Sequence, residues 1–178
     1  MKNDLLKELQ LLSQKTYVDP DVLQTFKDFL TTSPEITRPE NEKYHVCAFC
    51  MPVQKATKNI YLGHHIKADD WIPPGGHIEK NEHPRDTAFR EFKEELDFQI
   101  TDETIELINI SVKNIDNPAQ TCKRHYSLWY VVIMEEPIPF TFDRTEFYDA
   151  RWFAPPELLN KTHHPEYQKV IQQYVNDK

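Results

Sequence analysis

Glu91, Glu94 and Glu95 stand at i, i+3 and i+4, a spacing that sets three carboxylates on one face of a helix. Like charges so placed repel by roughly a few tenths of a kcal/mol per pair, so something positive must compensate them. Hard oxygen donors crowded on one face suit a divalent ion such as Mg²⁺ or Mn²⁺. Arg90 lies four residues before Glu94 and eight after Glu82, where it offsets part of the charge. Upstream, Gly75 and Gly76 are adjacent in a chain with only three glycines. Average usage of about 7% would supply roughly a dozen. The pair therefore marks a place where backbone turns tightly or approaches a ligand closely.

From Gly76 the chain runs five residues to Glu82, then seven to Arg90-Glu91-Phe92-Lys93-Glu94-Glu95. This resembles the Nudix box, G-x5-E-x7-R-E-U-x-E-E-x-G-U with U apolar, across Gly76–Phe98, and the preceding stretch Trp71–Pro74 also fits as its strand. Every charged position agrees. The last glycine of the box is Asp97 here; that glycine closes a helix in the left-handed conformation, which Asp visits more readily than most residues. Phe92 is bulky for the apolar position it fills. A solvated helix surface would account for an isolated E-x-x-E-E, but it requires neither the glycines nor Glu82 and Arg90 in register.

The resemblance implies an α/β fold, an α/β/α sandwich around a mixed β-sheet. It also implies hydrolysis of a nucleoside diphosphate linked to another moiety, a nucleotide-type small molecule, with Mg²⁺ or Mn²⁺ and water. By the same resemblance Glu94 and Glu95 are metal ligands, Glu91 is a third ligand or the general base, and the Gly76 backbone carbonyl is a further ligand. Glu82 and Arg90 would orient the loop and helix as an ion pair. Chemistry points the same way, since a diphosphate repels a nucleophile until cations neutralise it. Gly75, Gly76 and His77 are the candidate phosphate contacts, with a purely structural imidazole the other reading of His77. A carboxylate from outside the box would complete the site. Candidates are Glu135, Glu136, Asp143, Glu146 and Asp149, of which Glu146 is favoured because it lies just before the strand around Trp152. His64 and His65 also fall near the site in sequence. Trp71, Tyr126 and Trp129 could stack a base, although aromatics in strands more often pack the core. Two other classes stay open: a Nudix-fold binding or regulatory domain that senses a nucleotide without turnover, and an isomerase on the same fold. Intact acids argue against the first, and no cysteine–acid motif supports the second.

The chain of 178 residues is long enough to bury a substantial core. Its net charge of −8 argues against a general nucleic-acid binder, and no apolar run reaches the roughly 18 residues of a membrane span. The charged start MKNDLLKELQLLSQK lacks an apolar signal core, so with free thiols a cytoplasmic location is the expectation. Cys47-Ala-Phe-Cys50 has C-x-x-C spacing, which invites a zinc or redox reading. In a strand, however, i and i+3 face opposite ways, so Cys47, Cys50 and Cys122 are read as free thiols.

Around this site the elements follow from periodicity. Leu5, Leu9 and Leu12 predict a helix over 3–14 capped by Asn3 or Asp4, and Asp19-Pro20 opens a second with Val22, Leu23, Phe26, Phe29 and Leu30. Residues 1–38 form an N-terminal helical extension, followed by a domain over 39–178. The extension could pack on the core, contact a partner chain in a homodimer, or shape the pocket. Strands are expected at 44–53, 58–66, 106–115, 125–134 and 150–153, the fourth central and covered on both faces. The box helix is expected over 84–96, with Ala88, Phe92 and Leu96 as its buried stripe. Helices after Pro155-Pro156 (through Leu159) and after Pro165 close the chain.

Overall fold

The computed structural model describes residues 1–101, 105–158 and 160–177, so the Leu159 end of the short helix lies outside it. Side-chain alternation sorts the strands onto two cores. In β1 (Tyr44–Gln54), Val46, Ala48 and Cys50 enter one core, while Phe49, Met51 and Val53 enter the other. β6 (Arg124–Met134) repeats the pattern, with Tyr126, Leu128 and Tyr130 on the first side and Trp129 and Val131 on the second. These two strands are parallel neighbours, in register from Tyr44↔Arg124 to Gln54↔Met134. β5 (Ile105–Asn114) runs antiparallel on the outer side of β6, which confirms β6 as a central, twice-covered strand. β2 (Ile60–His65) pairs antiparallel with β1, and both β3 (Asp70–Ile72) and β7 (Phe147–Phe153) pair with β2. With β4 (Gly75–His77) on β1, seven strands form one mixed sheet among the described residues.

Helices close both faces. On the first lie α1 (Lys2–Leu12), α2 (Pro20–Thr32) and α3 (Pro84–Leu96); on the second lie α4 (Pro155–Leu158) and α5 (Pro165–Asp177). This is the expected α/β/α sandwich. Asp19 caps α2 as read, its Oδ1 accepting from the Asp21 and Val22 N–H groups at 2.9 and 3.3 Å. Of the three uses open to the N-terminal helices, packing on the core is the one the structure displays. Leu5, Leu9 and Phe26 are fully buried, and Phe29 stacks on Tyr126 of β6 at 3.8 Å between centroids.

Three expectations need correction. α1 begins earlier than read, with Met1 at its cap and no side-chain cap bond. Asp4 therefore falls inside the first turn, where its carboxylate pairs with the N-terminal amine at 3.2 Å. β7 starts at Phe147, because pairing with β2 extends past a bulge at His64/His65. The paired glycines are not a turn. They form β4, antiparallel to β1 through Ala48↔Gly76 and Phe49↔Gly75. A Cβ on Gly75 would lie 2.3 Å from the Ala48 carbonyl oxygen, so only glycine lets the two backbones come this close.

Candidate active site

α3 is built to aim acids at the sheet edge. Pro84 takes its first position, after His83 Nδ1 accepts from the Arg85 N–H at 3.3 Å. Ala88, Phe92 and Leu96 are buried as predicted, so the bulk of Phe92 is absorbed by the core, where it meets Phe98 and Phe140 edge-on. Asp97 ends the helix at φ 47°, ψ 36°, in the left-handed region the missing glycine would have used. Its carboxylate pairs with Lys93 one turn back, which offsets an acid at the negative end of the helix dipole.

Fixing the stripe inward turns the glutamates toward a cleft of about 1370 Å³, whose lining includes Gly76, Glu91, Glu94, Glu95 and Glu146. Glu95 is 5% exposed, and its Oε2 accepts from the Gly75 N–H at 3.0 Å. Burial, and then the nearby Glu91 charge, push its carboxyl well above the ordinary range; Glu146 and Glu94 add to the repulsion. Burial likewise raises Glu91, against the partial relief of Arg90. These four acids line one cleft, two of them raised by burial and mutual repulsion, and carboxylate oxygens of this kind suit a hard divalent cation.

Arg90 is the hub. Its Nε and Nη2 reach Glu82 Oε1 and Oε2 at 2.8 and 3.0 Å, Nη1 reaches Glu91 at 2.8 Å and Glu94 at 3.2 Å, and Nη2 also donates to the His77 carbonyl at 3.2 Å. Burial alone would raise Glu82, but the Arg90 bonds with those from Glu79 N–H and Thr87 Oγ1 hold it below its usual value. Glu82 is thereby bonded both to Arg90 on α3 and to the Glu79 N–H in the preceding loop. Glu91 and Glu94 are shared with Arg90 rather than gathered on one point, and Glu94 stands 59% exposed at the mouth.

The cradle for Glu91 is Gly76, where a Cβ would sit 2.2 Å from Glu91 Oε1. Gly76→Ala should therefore leave the fold standing, since the clash is with a flexible tip. It should still lower kcat by roughly 10–100-fold by displacing that carboxylate. Steady-state kinetics beside a melting curve check this; an unchanged kcat would show that the Glu91 position does not matter.

Of the outside carboxylates, Asp143 and Glu146 line the cleft. Glu146 is held by Lys67 at 3.0 Å and lies 3.6 Å from His65 Nε2. Glu135 instead pairs with Lys55, and neither it nor Glu136 or Asp149 lines the cleft. His64 stacks on Trp71 and bonds Asp69. Tyr126 and Trp129 are core residues, the latter donating to Ser111 Oγ at 2.9 Å. Cys47 and Cys50 are buried free thiols pushed up by burial, as read.

Two features lay beyond the sequence reading. Asp70 is 1% exposed and accepts backbone N–H bonds from His163 and His164, tying the C-terminal segment to β3. Its local sequence, Lys67-Ala68-Asp69-Asp70, reads as a charged turn and carries no signal of burial. His77 does not stand alone beside the glycines: its ring packs against His45 and His125, with Cys122 adjoining.

Comparison with known proteins agrees with this geometry. The profile of the NUDIX domain matches residues 43–174. No curated protein matches the sequence. Among solved structures, E. coli dihydroneopterin triphosphate pyrophosphohydrolase is similar with TM-score 0.67 and 19% identity over 80% of this chain and 99% of that one. The C. elegans Ap4A hydrolase, in a binary complex, gives TM-score 0.60 and 17% identity over 74% and 96%. The MutT protein from Methanosarcina mazei Go1 gives 0.63 and 13% over 76% and 95%. With its box on α3, its acids turned into one cleft and three quarters of its length within the domain profile, the chain belongs to the Nudix hydrolase family.

Proposed function

We propose that this Nudix diphosphohydrolase is metal-dependent and cleaves the diphosphate link of a nucleotide-type small molecule in the cytoplasm. The observation that supports this most is that Glu91, Glu94, Glu95 and Glu146 line one cleft, two of them raised by burial and mutual repulsion. Glu94 and Glu95 would hold Mg²⁺ or Mn²⁺, joined by the Gly76 carbonyl and Glu146, with Glu91 left to act as the general base rather than as a third ligand. Such an ion supplies charge neutralisation of the phosphate oxygens and a more acidic water.

The chain's own groups do the rest. Glu91 accepts the proton of the attacking water, since a carboxylate raised by burial is the stronger base. Glu82 and Arg90 keep it in place through the bonds given above, and the Gly75 N–H orients Glu95. Lys67, Arg38 and Lys113 line the same cleft and suit the substrate's negative charge. A cleft above the roughly 300–1,000 Å³ of ordinary ligand pockets has room for a nucleotide and its attached group.

The test is a hydrolysis screen with Mg²⁺ or Mn²⁺ across nucleoside triphosphates, dihydroneopterin triphosphate, Ap4A, ADP-ribose and sugar nucleotides, with Glu94→Gln as control. Turnover of one compound that needs metal and falls at least about 100-fold in the variant supports the reading. Nucleotide binding that raises the melting temperature, with no turnover of any compound, would replace it with a sensor.

A further inference from the structure

The cleft holds a second group of metal-binding side chains, of different chemistry from the glutamates. His45 comes from β1, His77 from β4, Cys122 from the connection between β5 and β6, and His125 from β6. Their donor atoms all lie within 4.8 Å of one another. The three rings surround one point, with centroids 4.8, 4.9 and 5.1 Å apart, and Cys122 Sγ lies 3.7 Å from His45 Nε2. We infer that His45, His77, Cys122 and His125 form a four-coordinate zinc site, separate from the carboxylate cluster.

Three observations carry the assignment. First, His45 Nδ1 lies 2.9 Å from the Asn41 carbonyl oxygen. That oxygen can only accept, so the proton is on Nδ1 and the lone pair of Nε2 faces Cys122. A metal-ligating histidine is ordinarily oriented in this way, by a backbone carbonyl on its other nitrogen. Second, His125 Nε2 is buried without a hydrogen-bond partner among the described residues, an unfavourable state for a polar nitrogen unless something engages it. Third, the distances fit. Zn–N near 2.0 Å and Zn–S near 2.3 Å in a tetrahedron place ligand atoms roughly 3.3–3.6 Å apart. The His45–Cys122 pair at 3.7 Å is within about 0.1–0.2 Å of this, and pairs as wide as 4.8 Å close by about 1.2–1.5 Å through side-chain rotation.

The donor set decides the metal. Imidazole and thiolate select Zn²⁺ over the hard ions that suit glutamates. Arg38 faces the rings and opposes a cation there; the Cys122 thiolate, its proton released to solvent on binding, supplies the compensating charge. Cys122 is only partly buried, which leaves a way in from the cleft. With four protein ligands the site is closed and structural. It would clip the β5–β6 connection, whose Asp116, Asn117 and Gln120 also line the cleft, to β1 and β4.

The test uses the full untagged chain, stripped with chelator and reloaded with Zn²⁺ or Co²⁺. We expect about one tightly held zinc per chain by elemental mass spectrometry, and a Co²⁺ spectrum with the intense visible bands of a tetrahedral centre plus a thiolate charge-transfer band. Cys122→Ser should abolish the thiolate band, and His125→Ala should cut zinc retention at least about tenfold. Glu94→Gln combined with Glu95→Gln should retain both signals. Circular dichroism shows whether each variant is folded; if His125→Ala is not, the isosteric Cys122→Ser decides. Failure of the parent chain to retain zinc, or a thiolate band that persists in Cys122→Ser, would overturn the site.

Discussion

Glu95→Gln should lose turnover by roughly 10²–10³-fold while melting at a higher temperature than the parent in metal-free buffer. The two effects have one cause. Glu95 is almost wholly buried, and its charge is opposed by Glu91, Glu146 and Glu94. The amide keeps the acceptor for the Gly75 N–H but removes the charge a cation would meet, worth several kcal/mol at about 1.4 kcal/mol per tenfold. For stability, a carboxyl raised in the folded state favours folding fully below its unfolded value of 4.5 and loses that contribution as pH rises through the folded value. The stability gap between variant and parent should therefore widen upward from pH 4.5. Melting curves across pH with chelator present, beside kinetics with metal, test both parts. Activity within tenfold of the parent would remove Glu95 from the metal set.

Deleting residues 1–38 should prevent the remainder from folding to a stable soluble form. The sequence reads as an extension followed by a domain, and the family profile begins only at 43. Yet Leu5, Leu9, Leu12, Phe26, Phe29 and Leu30 belong to the same core cluster as Val46, Tyr126 and Leu128. Each such side chain contributes roughly 1.5–3 kcal/mol on burial, so their sum matches the whole net stability of about 5–15 kcal/mol of an ordinary domain. Ordering the helices costs entropy that deletion would return, but the apolar face around Tyr126 would then lie in water. Soluble yield and the thermal transition of residues 39–178 measure this. A cooperative transition within about 5 °C of the parent would show the helices to be dispensable.

What the sequence made legible was local. The box helix, its buried stripe and the left-handed Asp97 follow from spacing and from conformational preferences acting over a few residues. The Glu82–Arg90 pair was equally accessible, because both ends lie within one motif. β4 was not, since Gly75-Gly76 carries no strand propensity and its pairing depends on how near β1 comes. Asp70 and the ring cluster were hidden for a related reason. Their partners lie far along the chain, and His45, Cys122 and His125 each sit in an unremarkable local sequence that the sheet alone brings together.

The parallel seam between β1 and β6 also governs how the protein is made. Tyr44 cannot meet Arg124 until nearly all of the chain between them has left the ribosome. A pairing so distant in sequence forms slowly, because loop closure must come first. Meanwhile the stretch HVCAFCMPV, uncharged apart from a terminal histidine and rich in apolar residues, waits without its central neighbour. Such a segment is a template for the wrong strand. Yield in a cell should therefore depend on temperature and synthesis rate more steeply than the stability of the finished protein would require.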